Sequence, residues 1–145
     1  MLRAVWVLLI GGVAWAAPQW TAYCNERFGF CVQRPAFLTP QPPPENGDGM
    51  EFRQGGIRFI AFGSQKVFSL PKTYELAQKG VRVTYKQLRP DFFVVSGYKG
   101  SFVVYHHTRV MGDAYVTLYF EYPASQKAAY DPLIKPTVDS LKPRR

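Results

Sequence analysis

Hydrophobic and polar positions change period several times along the chain, and the changes mark out its elements. Trp20 to Tyr23 and Phe28 to Gln33 have strand character, with Phe28, Phe30 and Val32 falling on one side at a period of two. Met50 to Arg53 and Ile57 to Gly63 form a second hairpin around Gln54-Gly55-Gly56. The period then lengthens: Leu70, Tyr74 and Ala77 share one face of a helix that Ser69 can cap and Gly80 can end. Pro71 falls in its first turn, where a missing N–H is harmless. Four strands follow, Val81 to Leu88, Phe92 to Tyr98, Ser101 to Val110 and Ala114 to Tyr122, with Arg89-Pro90-Asp91, Lys99-Gly100 and Met111-Gly112-Asp113 as turns. Such short connections predict an antiparallel meander. A last helix is expected within Ser125 to Leu141, beginning near Asp131 or broken, because Pro132 and Pro136 interrupt it. Between the two hairpins, the prolines of Pro35 to Pro44 remove the donors that a helix or central strand needs, which leaves an extended connection. Glu45-Asn46-Gly47-Asp48-Gly49 reads as a tight turn. The pattern as a whole predicts an α+β domain: an antiparallel sheet of N-terminal hairpins plus the four-strand meander, flanked by two helices.

Turn length fixes which side chains meet. A two-residue turn at Lys99-Gly100 would set Val95 opposite Val104, and a three-residue turn after Val110 would set His106 opposite Leu118. One face then collects Val83, Tyr85, Phe93, Val95, Gly97, Phe102, Val104, His106, Val116, Leu118 and Phe120, and is the expected core face. The other carries Arg82, Lys86, Tyr98, Tyr105, His107, Arg109, Tyr115 and Tyr119. Tyrosines among arginine and lysine suit stacking, cation-π contacts and hydroxyl hydrogen bonds, so these eight residues form the candidate binding face.

The same register argues against familiar chemistry. His106 and His107 are adjacent on a strand, point to opposite faces and cannot chelate one ion. His106 is expected at the core edge with a polar partner, and His107 at the surface. Ser96 and His106 also fall on opposite faces, while Ser96 and His107 stand four rows apart, roughly 13 Å at about 3.3 Å per residue. A nucleophile and its base must approach to about 3 Å, and Val94-Val95-Ser96-Gly97-Tyr98 lacks the first glycine of a nucleophile elbow. The carboxylates of Glu45 to Glu51 lack the alternation and closing position of a calcium loop. No catalytic residue, cofactor or metal is assigned.

The N-terminus adds a compartment. Met1-Leu2-Arg3 precedes an apolar run from Ala4 to Val13, and Ala14-Trp15-Ala16 offers a small-x-small cleavage site. Residues 1–16 therefore read as a signal peptide and 17–145 as one exported domain, periplasmic or extracellular. The apolar run falls short of the ~20 residues of a spanning helix, no cysteine sits at the cut for a lipid, and no later stretch would cross a membrane. The formal net charge is +8, which favours an anionic surface or an envelope protein as partner. The only basic cluster is Lys142-Pro143-Arg144-Arg145, so nucleic acid is not expected.

Export also bears on Cys24 and Cys31. With Glu26-Arg27 at the hairpin tip, Cys24 would face Gly29; with Arg27-Phe28 at the tip, the cysteines would sit opposite each other. Two close cysteines in an exported chain are usually oxidised, which favours the second register. So small a ring stabilises by only ~2 to 2.5 kcal/mol. A redox role would need a Cys-x-x-Cys turn at a helix start, and zinc would need further ligands that are not nearby.

Tyr23, Asn25, Arg27-Phe28-Gly29-Phe30 and Pro35, then Asn46-Gly47-Asp48-Gly49, Phe93-Val94-Val95-Ser96-Gly97, and Tyr122-Pro123 with Tyr130-Asp131, resemble a family of small exported bacterial proteins of uncharacterised function. The resemblance spans nearly all of the chain after the signal and brings no activity or catalytic residue with it. The element order is similar to the PsbP-like α/β sandwich, which implies a fold and not a function. The leading expectation is a non-enzymatic exported module that binds a protein or envelope component through the tyrosine and basic face. The alternatives are an enzyme acting on an envelope polymer through an unrecognised site, and a purely structural protein in which that face is covered.

Overall fold

A computed structural model describes residues 18–145; the signal peptide expected at 1–16 lies outside the described residues. Strands β1 (Trp20–Asn25) and β2 (Phe30–Pro35) form the first hairpin. They are followed by β3 (Thr39–Pro40), β4 (Gly49–Gln54) and β5 (Ile57–Gln65). Helix α1 (Leu70–Ala77) precedes the meander of β6 (Arg82–Leu88), β7 (Phe92–Lys99), β8 (Phe102–Met111) and β9 (Ala114–Pro123). Two short helices, α2 (Lys127–Tyr130) and α3 (Ile134–Asp139), and a last strand β10 (Lys142–Pro143) complete the order. The strands make two antiparallel sheets, β1-β2-β10 and β3-β4-β5-β9-β8-β7-β6.

Local sequence accounts for α1. The Ser69 hydroxyl accepts from the Lys72 N–H at 3.3 Å and closes the first turn, and Pro71 lies in that turn. Leu70, Tyr74 and Ala77 pack on Phe93, Val95 and Tyr115 of the large sheet. The C-terminal helical region is broken, as its prolines require: two single 3₁₀ turns, Ala124–Gln126 and Asp131–Leu133, alternate with α2 and α3.

The large sheet is therefore covered on both sides. The first hairpin, α3 and Leu141 cover one, the hairpin side, where Phe30, Val32, Phe52, Phe59, Leu118 and Phe120 make the main core. Helix α1 covers part of the other. Phe59 stacks on Phe120 at 4.6 Å and lies 5.9 Å from Phe52, which meets Tyr23 edge-on at 5.6 Å, so an aromatic row ties the hairpin to the sheet.

Two turns correct the expected faces. Both are two-residue turns with glycine first, Gly100-Ser101 and Gly112-Asp113, at φ of 56° and 59°. A first central glycine with positive φ is the signature of the hairpin turn whose twist matches its strands. Moving the first turn on by one residue shifts β7 against β8 by two positions, so Val95 meets His106 and the faces survive. Shortening the second turn from three residues to two shifts β9 by one, so Leu118 meets His107 and His106 meets Tyr119. A one-residue shift exchanges every side chain on β9. The expected core face is thus two half-faces: Phe93, Val95, Val104 and His106 on the α1 side, and Val116, Leu118 and Phe120 on the hairpin side. Tyr85 and Phe102, expected in the core, are exposed; a bulge between Val83 and Tyr85 carries Tyr85 out of step.

Candidate functional site

The tip of the first hairpin is fastened to the rest of the protein by residues of its own sequence. Cys24 and Cys31 face each other and are bonded, so the register with Arg27-Phe28 at the tip is the one adopted. Buried Asn25 accepts from the Phe28 N–H at 2.8 Å and donates to the Gly47 carbonyl at 2.9 Å. Arg27 donates to the Asn46 carbonyl at 2.8 Å. The Phe28 ring lies over Gly63, where any β-carbon would fall 2.1 Å from the ring. The Tyr23 to Phe30 motif and the Asn46 to Gly49 motif, distant in sequence, are thus two halves of one clasp.

This clasp walls a cleft of about 1000 Å³ between the hairpin tip and the end of the large sheet. Arg27, Lys66 and Arg109 line it, together with Phe28, Met111, Asp113 and Pro143. Lys66 donates to the Gly112 carbonyl at 2.9 Å. Among the described residues, none of these three cations forms an ion pair with a carboxylate. A second hollow of about 490 Å³ lies between β8 and α3, lined by Ser96, Tyr105, Asp131 and Asp139. Its lysines are neutralised: Lys127 pairs with Asp131, and Lys135 with Asp139 at 2.6 Å. Of these two hollows the first keeps its cations without a carboxylate partner, and it is the candidate site.

The predicted binding face does not survive as one surface. Arg82, Tyr98, Tyr105, His107 and Arg109 are on the hairpin side, whereas Lys86, Tyr115 and Tyr119 are on the α1 side. The one-residue change at Gly112-Asp113 moves Tyr115 and Tyr119 to that side, and the bulge between Val83 and Tyr85 moves Lys86. Arg82 lies over the Tyr98 ring at 4.7 Å. Tyr105 lines the second hollow, and burial raises its hydroxyl above the ordinary tyrosine range. Tyr115 is buried and donates to the Phe68 carbonyl at 2.7 Å. Tyr119 donates to Glu121 at 2.8 Å; burial, then that bond, pushes it strongly upward. Lys86 donates to the Gln78 side chain at 3.3 Å. Of the eight, Arg109 alone reaches the cleft.

The histidines also differ from expectation. His107, expected at the surface, is 2% exposed, stacks on Phe92 at 5.4 Å, and has no hydrogen-bond partner at either ring nitrogen among the described residues. Burial first, then Arg109 and His106, lowers it to about 4. His106 meets the Thr108 hydroxyl at 3.1 Å and is lowered to about 4 by burial and then Lys99. Neither ring bonds a carboxylate, and Ser96 donates to the Val104 carbonyl at 3.0 Å.

Arg27 and Lys66 were not singled out by sequence. Arg27 stands inside the first motif, which was a visible signal. Lys66 had none, because it reaches the cleft only once β5 and β9 pair and bring Gln65 beside Ala114.

No family model and no curated protein matches this chain. Among solved structures, the solution structure of cyanobacterial PsbP (CyanoP) from Synechocystis sp. PCC 6803 is similar, with a TM-score of 0.62 at 9% sequence identity. The match covers 92% of this chain and 96% of that one. The fold is a PsbP-like α+β fold.

Proposed function

We propose that this protein is an exported, non-enzymatic module that binds an anionic envelope component in the cleft beside its first hairpin. The observation that carries the reading is the set of Arg27, Lys66 and Arg109 lining one hollow, none of them paired with a carboxylate. Cations without a carboxylate partner beside low-dielectric walls attract anions more strongly than cations in ion pairs. Export is supported by the leader-like residues 1–16, by the Cys24–Cys31 bond, and by the residues resembling small exported bacterial proteins. Histidines that meet no carboxylate support binding over catalysis.

Inorganic tripolyphosphate is a suitable soluble probe. Titrated into ¹⁵N-labelled protein, it is expected to move the amide signals of Gly29 and Gly112, which lie on opposite walls of the cleft. The double variant K66E/R109E is expected to weaken binding at least tenfold. Shifts scattered over the whole basic surface, or binding unchanged in the double variant, would overturn the reading.

A further inference from the structure

The loop between β5 and α1 presents Val67 and Phe68 to solvent, 76% and 52% exposed. They are neighbours in sequence, and large apolar side chains this exposed are otherwise scattered singly along the described residues. The loop is held rather than slack. The Val67 N–H donates to the Gln65 carbonyl at 2.9 Å, and the buried Tyr115 hydroxyl donates to the Phe68 carbonyl at 2.7 Å. One residue further on, Ser69 caps α1, and Leu70 is already in the core. The backbone therefore fixes two apolar side chains outward at a point where the core is two residues away.

The charge near this pair is mainly positive, three cations to the one carboxylate of Asp113 around the cleft. Lys66 directly precedes Val67 and lines the basic cleft with Arg27 and Arg109. An apolar tip beside cations is the arrangement that seats a protein on an anionic bilayer: the apolar groups enter the headgroup boundary and the cations meet the headgroups. A soluble anion or a hydrophilic polymer gains nothing from Val67 and Phe68, so the pair favours a lipid surface over those two.

We infer that the Val67-Phe68 loop is a membrane wedge that docks the cleft end of the protein onto a bilayer of anionic lipid. The inference rests on the proposed reading of the cleft and names the source of the anion. Its test is flotation with vesicles of phosphatidylglycerol and phosphatidylcholine in equal parts, compared with pure phosphatidylcholine. Binding is expected with the first and not the second, and V67S/F68S is expected to lose at least tenfold in vesicle partition. That variant changes exposed side chains only, so its melting temperature and its tripolyphosphate binding should stay as they were. Phe68→Trp should show a blue-shifted emission on adding the anionic vesicles, relative to the unsubstituted protein. Equal vesicle binding by V67S/F68S, or no emission shift at position 68, overturns the wedge while tripolyphosphate binding leaves the cleft standing. Loss of tripolyphosphate binding in V67S/F68S would show that the loop shapes the cleft, and also overturns the wedge.

Discussion

On the hairpin side of the large sheet, Phe59 and Phe120 are wholly buried, whereas on the α1 side their chain neighbours Ile60, Tyr119 and Glu121 are only part-buried. The hairpin side is closed by apolar lids from β1, β2 and α3. The α1 side is closed that way only over Phe93, Val95 and Tyr115. Beyond the helix it is closed by polar groups: Arg53 and Arg58 pair with Glu51, and Tyr119 donates to Glu121. Burial alone would raise the Glu51 carboxyl, but the hydrogen bonds from Arg53 and Arg58 outweigh it and hold it below the ordinary range. A part-exposed ion-pair cluster of this kind contributes little to stability and mainly keeps the uncovered half of the face from being an apolar patch. The difference teaches that one sheet can be sealed by packing on one side and by solvated charge on the other, with the alternation of each strand serving both.

The largest test of that contrast is a pair of adjacent substitutions. Phe120→Ala is expected to cost about 3 to 5 kcal/mol, since a buried ring is removed and its cavity cannot fully collapse. Tyr119→Ala, one residue away and part-exposed, is expected to cost only about 1 kcal/mol. Urea unfolding at an unchanged slope gives both values. Equal losses would mean that the two sides are equally packed and the contrast is false.

Acid separates the sides less strongly. Both histidines are lowered to about 4 in the folded protein, against about 6.5 when unfolded. Between those values the unfolded chain binds protons that the native rings refuse. Stability is thus full above pH 6.5, falls as the pH drops toward 4, and levels off below it. The effect is on the order of 3 kcal/mol for buried His107, and smaller for part-exposed His106. His107→Leu, which also removes two ring nitrogens without partners, should reduce the loss between pH 7 and 4.5 by about 2 to 3 kcal/mol. Melting curves at a series of pH values, set beside those of His106→Leu, check it. A larger rescue by His106→Leu would reverse the assignment of the more tightly sealed side.

Local chemistry made α1 legible: Ser69, Pro71 and the spacing of Leu70, Tyr74 and Ala77 all act within one segment. The β7–β8 faces were legible despite a wrong turn, because an error of two residues leaves side chains where they were. The β9 faces were not, because the choice between a two- and a three-residue turn at Gly112 is a single residue, and one residue inverts a strand. The predicted face broke there, with Tyr115 and Tyr119 on one side and Tyr98 and Tyr105 on the other. The cleft was less legible still. Arg27, Lys66 and Arg109 meet only because Phe28 lands on Gly63 and fixes the hairpin tip against the sheet. Neither residue signals that contact alone: Phe28 read as a strand position and Gly63 as the end of another.

The smallest expected effect probes whether the α1 side is a unit of its own. Eight residues are too few for a stable helix in water, so α1 depends on its contacts with Phe93, Val95 and Tyr115 and on its cap. Ser69→Ala removes the acceptor for the Lys72 N–H and should cost about 1 kcal/mol. If α1 opens separately from the hairpin side, hydrogen exchange will quicken at the amides of α1 while β5 and β9 keep their rates. If the two sides open together, every protected amide will quicken by the same factor. The first outcome places the Val67-Phe68 loop beside the part of the protein that opens most readily, because Phe68 is joined to α1 through Ser69 and to the sheet through the Tyr115 hydroxyl. The second would make both faces of the sheet, however differently sealed, a single cooperative structure.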